Sequence, residues 1–122
     1  MNTSNVPADA GVNCSNVVVL RGTVGATIVQ RELPAGGVAL QFDVRTEASS
    51  VNASWIDPPG DANAIIGPGE EVLVVGTVER RFFRVAGSTQ SRTEVVASKV
   101  VPARRSRSVR AAIAAVTRSL GD

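Results

Sequence analysis

The residues best suited to chemistry lie in one run, Arg80-Arg81-Phe82-Phe83-Arg84, with Arg92 a short distance beyond it. Arginine supplies a planar, permanently charged fork of donors, and phenylalanine supplies a flat apolar face. Cations for a charged backbone and ring faces for flat bases are what binding of an extended polyanion with aromatic bases requires. Catalysis fits the composition poorly. The sequence has no His, no Tyr and a single Cys, Cys14. That removes the commonest general base and leaves too few thiolates for a metal site. Gly67-Pro68-Gly69 is a turn rather than a phosphate-binding loop, and Glu70-Glu71 reads as a solvated strand start. The expectation is a non-catalytic protein with no cofactor and no metal.

The element that must carry these side chains is a long hairpin over residues 71–101. Val72 to Arg84 forms one arm, Val85-Ala86-Gly87-Ser88 the turn, and Thr89 to Val101 the return. Val, Thr and Phe dominate both arms, as strand propensity favours. The base is apolar on both parities, through Val72, Val74 and Val78 on one and Leu73 and Val75 on the other. Past Gly76 the hairpin becomes charged and aromatic. Such a hairpin is an arm with a buried base and a basic tip.

At 122 residues the chain is long enough for one domain with a core and no disulfide. The net charge of +2 hides an uneven split. Residues 103–122 carry five Arg and one Asp, whereas residues 1–102 carry eight basic and ten acidic groups. Anion binding must therefore come from local clusters and from the tail. No apolar run is long enough to span a membrane, and the first residues do not form a signal peptide. With one unpaired Cys, the expected location is cytoplasmic and nucleoid-associated, with no membrane partner.

Residues 1–15 read as a polar, disordered lead, 16–102 as the folded domain, and 103–122 as a basic tail. Within the domain, Asn16 to Val24 is a strand whose Gly22 marks a bend or a close backbone approach. A kink at Gly25-Ala26 leads to a further extended stretch, Thr27 to Arg31. After the turn Leu33-Pro34-Ala35-Gly36-Gly37, Val38 to Glu47 alternates cleanly, with Val38, Leu40, Phe42 and Val44 facing the core. A short strand, Val51 to Ile56, precedes Asp57-Pro58-Pro59-Gly60, and Ala62 to Ile66 suits one helical turn. The tail switches to helical spacing through Val109, Ala112, Ile113, Val116 and Leu120, with Ser106 or Ser108 placed to cap it. Five strand signals and Gly-marked bends describe an all-β, five-stranded Greek-key barrel of the OB type, with a long basic hairpin and a C-terminal amphipathic helical segment. An SH3-like barrel or a small sandwich is the competing architecture.

Several segments resemble bacterial single-stranded DNA-binding proteins. Asn16-Val17-Val18-Val19-Leu20-Arg21-Gly22 is similar to their opening strand, and Arg31-Glu32-Leu33-Pro34-Ala35-Gly36-Gly37-Val38-Ala39 to their first hairpin. Trp55 falls where that family has a Trp in the third strand. Gly69-Glu70-Glu71-Val72-Leu73-Val74-Val75-Gly76 resembles the start of the fourth strand, and Glu94-Val95-Val96-Ala97 the fifth. The resemblance spans residues 16–102 and implies an OB fold, single-stranded DNA as partner, and a homo-oligomer, dimer or tetramer. The chain departs from the family in its shortened helix between strands three and four, in lacking aromatics near Ala48 and Asp61, and in ending on a basic segment rather than an acidic tip. Those departures suggest a divergent paralogue.

The expected nucleic-acid contacts are Arg80, Arg81, Arg84 and Arg92 on the arm, Arg21 and Arg45 on adjacent strands, and Arg104, Arg105 and Arg107 in the tail. Phe83 falls on a stacking position of the family, while Phe82 shares parity with Val72 and Val74 and is expected in the core. A bulge near Gly76 would exchange those two roles. Trp55 is a second candidate platform, with Ile56 better placed to point inward. Stacking and phosphate contacts do not report the sugar, so RNA stays open as a ligand. The rival reading is an OB-fold interaction or assembly module that has lost most stacking residues. The tail fits a nucleic-acid-binding extension, a helix against a partner subunit or, least well, a membrane-surface helix.

Overall fold

The barrel closes because β1 (Val18–Glu32) is long enough to serve two neighbours. In the computed structural model, which describes residues 15–121, Val18 to Thr23 pair antiparallel with β4 (Glu71–Val85). From Thr23 onward β1 pairs with β2 (Val38–Arg45). The change of neighbour coincides with a register shift between Val24 and Ile28, at the kink expected from Gly25-Ala26. β3 (Ser50–Ile56) follows β2 antiparallel, and β5 (Ser88–Pro102) lies parallel to β3 and antiparallel to β4. The closed order β1-β2-β3-β5-β4 is the five-stranded OB barrel expected from the strand pattern. The proposed lead of residues 1–15, with Cys14, lies outside the described residues apart from Ser15.

Alternation fills the inside. Val24, Leu40, Phe42, Val44, Ala53, Trp55, Val72, Val74, Val95, Ala97 and Val100 form one buried cluster. The β3–β4 connection makes a single 3-10 turn, Ala62–Ala64, and buries Ala62, Ile65 and Ile66 in the same cluster. That short segment plugs the barrel with little chain, in keeping with the single helical turn that Ala62 to Ile66 suits.

Trp55 belongs to this core and is 3% exposed, against its expected place in a binding site. Its cross-strand partners are Leu40 on β2 and Ala97 on β5, both core residues. Ile56 pairs instead with Ala39 on the outer face and is half-buried, so the two residues exchange the orientations assigned from sequence. The barrel supplies the reason: Ala53, Ala62 and Ala97 leave interior volume that a bulky ring fills.

Two close approaches exclude side chains. A Cβ on Gly22 would overlap the Arg45 carbonyl, which agrees with the close approach read from sequence. A Cβ on Gly76 would overlap the Val96 carbonyl. Gly76 sits beside the one irregularity of the β4–β5 ladder, where Ser98 is the extra residue between Lys99 and Ala97.

The tail forms α1 (Ser106–Gly121), which lies against β5 and buries Ala112. The Val109 N–H donates to the Arg105 carbonyl at 3.0 Å, so Arg105 takes the capping position expected of Ser106 or Ser108. Ile113 and Leu120 of the apolar stripe stay exposed. None of the described helices is long and apolar enough to cross a membrane.

Two stability measurements follow. Gly76→Ala should lower unfolding free energy in urea by about 1–3 kcal/mol, the cost of forcing atoms into a packed site. Gly60→Ala, where a Cβ meets nothing, should leave the midpoint unchanged. Trp55→Ala should cost about 3–5 kcal/mol, as removal of a fully buried aromatic does.

Candidate nucleic-acid interface

The hairpin extends well beyond the barrel. β4 and β5 pair without a break from Gly76↔Ala97 to Val85↔Ser88. A two-residue turn closes them, with Ala86 at φ 50° and Gly87 at φ 84°. Positive φ at both central residues matches the right-handed twist of the strands. The arm base is also tied laterally. Asn16 Nδ2 donates to the Val78 carbonyl, and the Val78 N–H donates to Asn16 Oδ1, both at 2.9 Å.

Because side chains alternate, the arm has two faces. Arg81 and Phe83 share one with their cross-strand partners Arg92 and Gln90. Arg80, Phe82 and Arg84 occupy the other. That second parity points into the core at Val72 and Val74, but from Val78 outward no barrel wall stands opposite it. Val78 is exposed, and Phe82 is 68% exposed rather than buried as its parity suggested. The bulge does not cause this, since Ser98 inserts into β5 and leaves the alternation of β4 intact. Length alone decides it: the arm outruns the core.

The first face bends over the outer surface of β1 and β2 and forms a cleft of about 210 Å³. Arg31, Gln41, Arg81, Phe83, Arg92 and Glu94 line it. An adjoining hollow continues past Gln41 and Glu94 to Ser54, Ile56, Glu79 and Val96. The Arg92 guanidinium carbon lies 5.4 Å from the centre of the Phe83 ring. A cation over the ring face orders both groups and leaves Phe83 half-buried. Arg81 faces Glu94 at 3.7 Å. The cleft thus offers three guanidinium groups, one aromatic ring and polar groups on its floor.

Of the residues expected to bind, Arg81, Phe83 and Arg92 come together, and Arg31 joins them. In the sequence Arg31 is only the end of an extended stretch. Its place follows from the β1–β2 register, in which it pairs with Ala39, two residues before Gln41. The strand alternation shows that Arg31 has one facing; only the pairing shows what it faces. The other expected contacts do not line the cleft. Arg80 and Arg84 lie on the opposite face of the arm, where Arg84 donates to the Gly87 carbonyl at 3.2 Å. Arg21 is engaged with Glu71 at 2.9 Å, and Arg104 with Glu70 at 3.0 Å. Arg45 is exposed at the far end of β2, and Asp43, two residues before it, accepts from Asn52 Nδ2 at 3.2 Å. Arg105 and Arg107 are exposed at the start of α1. No cluster of three or more His, Cys, Asp or Glu that could hold a metal ion occurs among the described residues.

No family model matches the sequence, and no curated protein matches it. The fold does have counterparts among solved structures. One is described as the Plasmodium falciparum SSB complex with ssDNA. The TM-score is 0.62 at 17% identity, and the match covers 75% of this chain and 97% of that one. At this identity the likeness is one of fold: the five-stranded OB barrel is shared almost in full.

Proposed function

We propose that the chain binds single-stranded DNA without catalysis, in the cleft between the arm and the outer face of β1 and β2. The observation that carries this reading is Phe83 with Arg92 stacked on it, inside a rim completed by Arg31 and Arg81. An unpaired strand offers bases that can stack on the ring and phosphates that the guanidinium groups can meet. The similar solved structure, an SSB with ssDNA, lends support through its shared fold. With Trp55 buried, the cleft holds one stacking platform per chain, so contacts with phosphates carry much of the affinity.

A second copy of the chain belongs to this proposal. Val18 to Gly22 pair with β4 alone, because pairing to β2 begins at Thr23. One edge of that segment is open, with Val17 and Val19 exposed beside it. Open apolar edges invite pairing, and a two-fold axis lets the same segment pair with itself. Light scattering at micromolar concentration should give at least a dimer, and a monomer would remove this part of the proposal.

The rival reading, an assembly module, draws on the same burial of Trp55 and on the exposed Ile113 and Leu120 of α1. Binding measurements separate the two. Phe83→Ala should weaken binding of oligo-dT by about 1–3 kcal/mol with little change in salt dependence. Arg31→Ala and Arg92→Ala should each flatten the log–log salt slope by up to about 0.7, the value for one lost phosphate contact on a single strand. Oligo-dT that does not shift at low salt would favour assembly. A ribo-oligonucleotide of the same base run alongside reports whether the 2′-hydroxyl matters.

A further inference from the structure

Glu94 does not fit a simple polyanion cleft. Among the described residues it is the only charged side chain that is buried, at 4% exposure. Its sole ionic neighbour there, Arg81, stands at 3.7 Å, beyond hydrogen-bond distance. No hydrogen bond to its carboxylate is found among the described residues. Glu79 lies directly across the ladder from it, a like charge where pairing is unfavourable. Ser54, also buried, adds to the same hollow a hydroxyl with no hydrogen-bond partner among the described residues. Buried acceptors without donors are uncommon and call for a cause.

Phosphate is the wrong occupant for this floor, since it would meet two carboxylates. A base edge that donates hydrogen bonds is the right one. We propose, building on the single-stranded DNA reading, that Glu94 is a specificity residue that accepts from the Watson–Crick edge of guanine. Guanine presents N1–H and N2–H side by side, which matches the two oxygens of one carboxylate. Cytosine and adenine each set an amino donor beside a ring-nitrogen acceptor, so the second oxygen would face a lone pair. Thymine places its single N3–H between two carbonyl oxygens. In an unpaired strand this edge is free to be read. Arg31, Arg81 and Arg92 at the rim remain for phosphates, and Ser54 can serve O6 or an ordered water.

The test compares three short oligonucleotides on the full chain: oligo-dT, the same with one central guanine, and the same with hypoxanthine in that place. Hypoxanthine keeps N1–H and lacks the amino group. The guanine strand should bind fivefold or more tighter than oligo-dT, roughly the low end for one bidentate contact, and hypoxanthine should lose most of that gain. Glu94→Gln should erase the guanine preference, so that the strand with the central guanine and oligo-dT bind it alike. Equal binding of all three strands by the unaltered protein overturns the proposal without any variant. A guanine preference that survives in Glu94→Gln overturns it too. If no strand binds at low salt, the single-stranded DNA reading itself fails, an outcome distinct from loss of discrimination.

Discussion

Closure of the barrel is the constraint on which everything else rests. A single flat layer of five strands cannot cover a core from one side, and an open sheet would leave two edges to be protected. β1 solves this by turning within its own length, giving its first half to β4 and its second to β2. The turn demands backbone approaches that no side chain could share, which is why Gly22 stands against the Arg45 carbonyl. Once the sheet is closed, its interior fixes Phe42, Trp55 and Val72, and its exterior becomes a continuous surface on which a ligand can lie.

The cleft follows from a mismatch of lengths. β2 spans eight residues and β3 seven, while β4 and β5 span fifteen each. The excess of the long pair has no core to cover and projects as a free arm. Its inner parity turns from Val72 and Val74 in the core to Arg80, Phe82 and Arg84 in solvent, with no change in strand geometry. Its outer parity brings Arg81, Phe83 and Arg92 over Arg31 and Gln41. A two-stranded arm alone would be marginal in water. Here the ladder runs on from the barrel, and the paired hydrogen bonds between Asn16 and Val78 hold the arm where it leaves the barrel.

The electrostatics of the surface are local. The rim of the cleft is positive, its floor holds Glu94 with Glu79 across the ladder, and two of the other arginines are taken up by Glu70 and Glu71. A chain of small net charge can in this way present cations in one place and acceptors next to them. In α1, Arg107 lies in a first turn with no acidic residue, against the helix dipole, while Arg118 in the last turn complements it. The two end charges act in opposite senses, and the helix is also held on β5, where it buries Ala112.

Alternation, glycine and helical spacing were enough for the sequence to determine the five strands, the kink at Gly25-Ala26, the arm with its basic aromatic tip, and the helical tail. Each is a local signal: propensity and period act within a few residues. The core parity of Val38 to Val44 was legible for the same reason. Tertiary structure alone decided what each parity faces. Phe82 has a core parity and lies in solvent, because the arm extends past the barrel. Trp55 lies inside, because Ala53, Ala62 and Ala97 left it room. Arg31 joins the cleft through the β1–β2 register, and Glu94 through the registers that set β5 beside β4 and β3. Strand period assigns a side chain to one of two faces, and only closure of the sheet determines whether that face meets core, cleft or water.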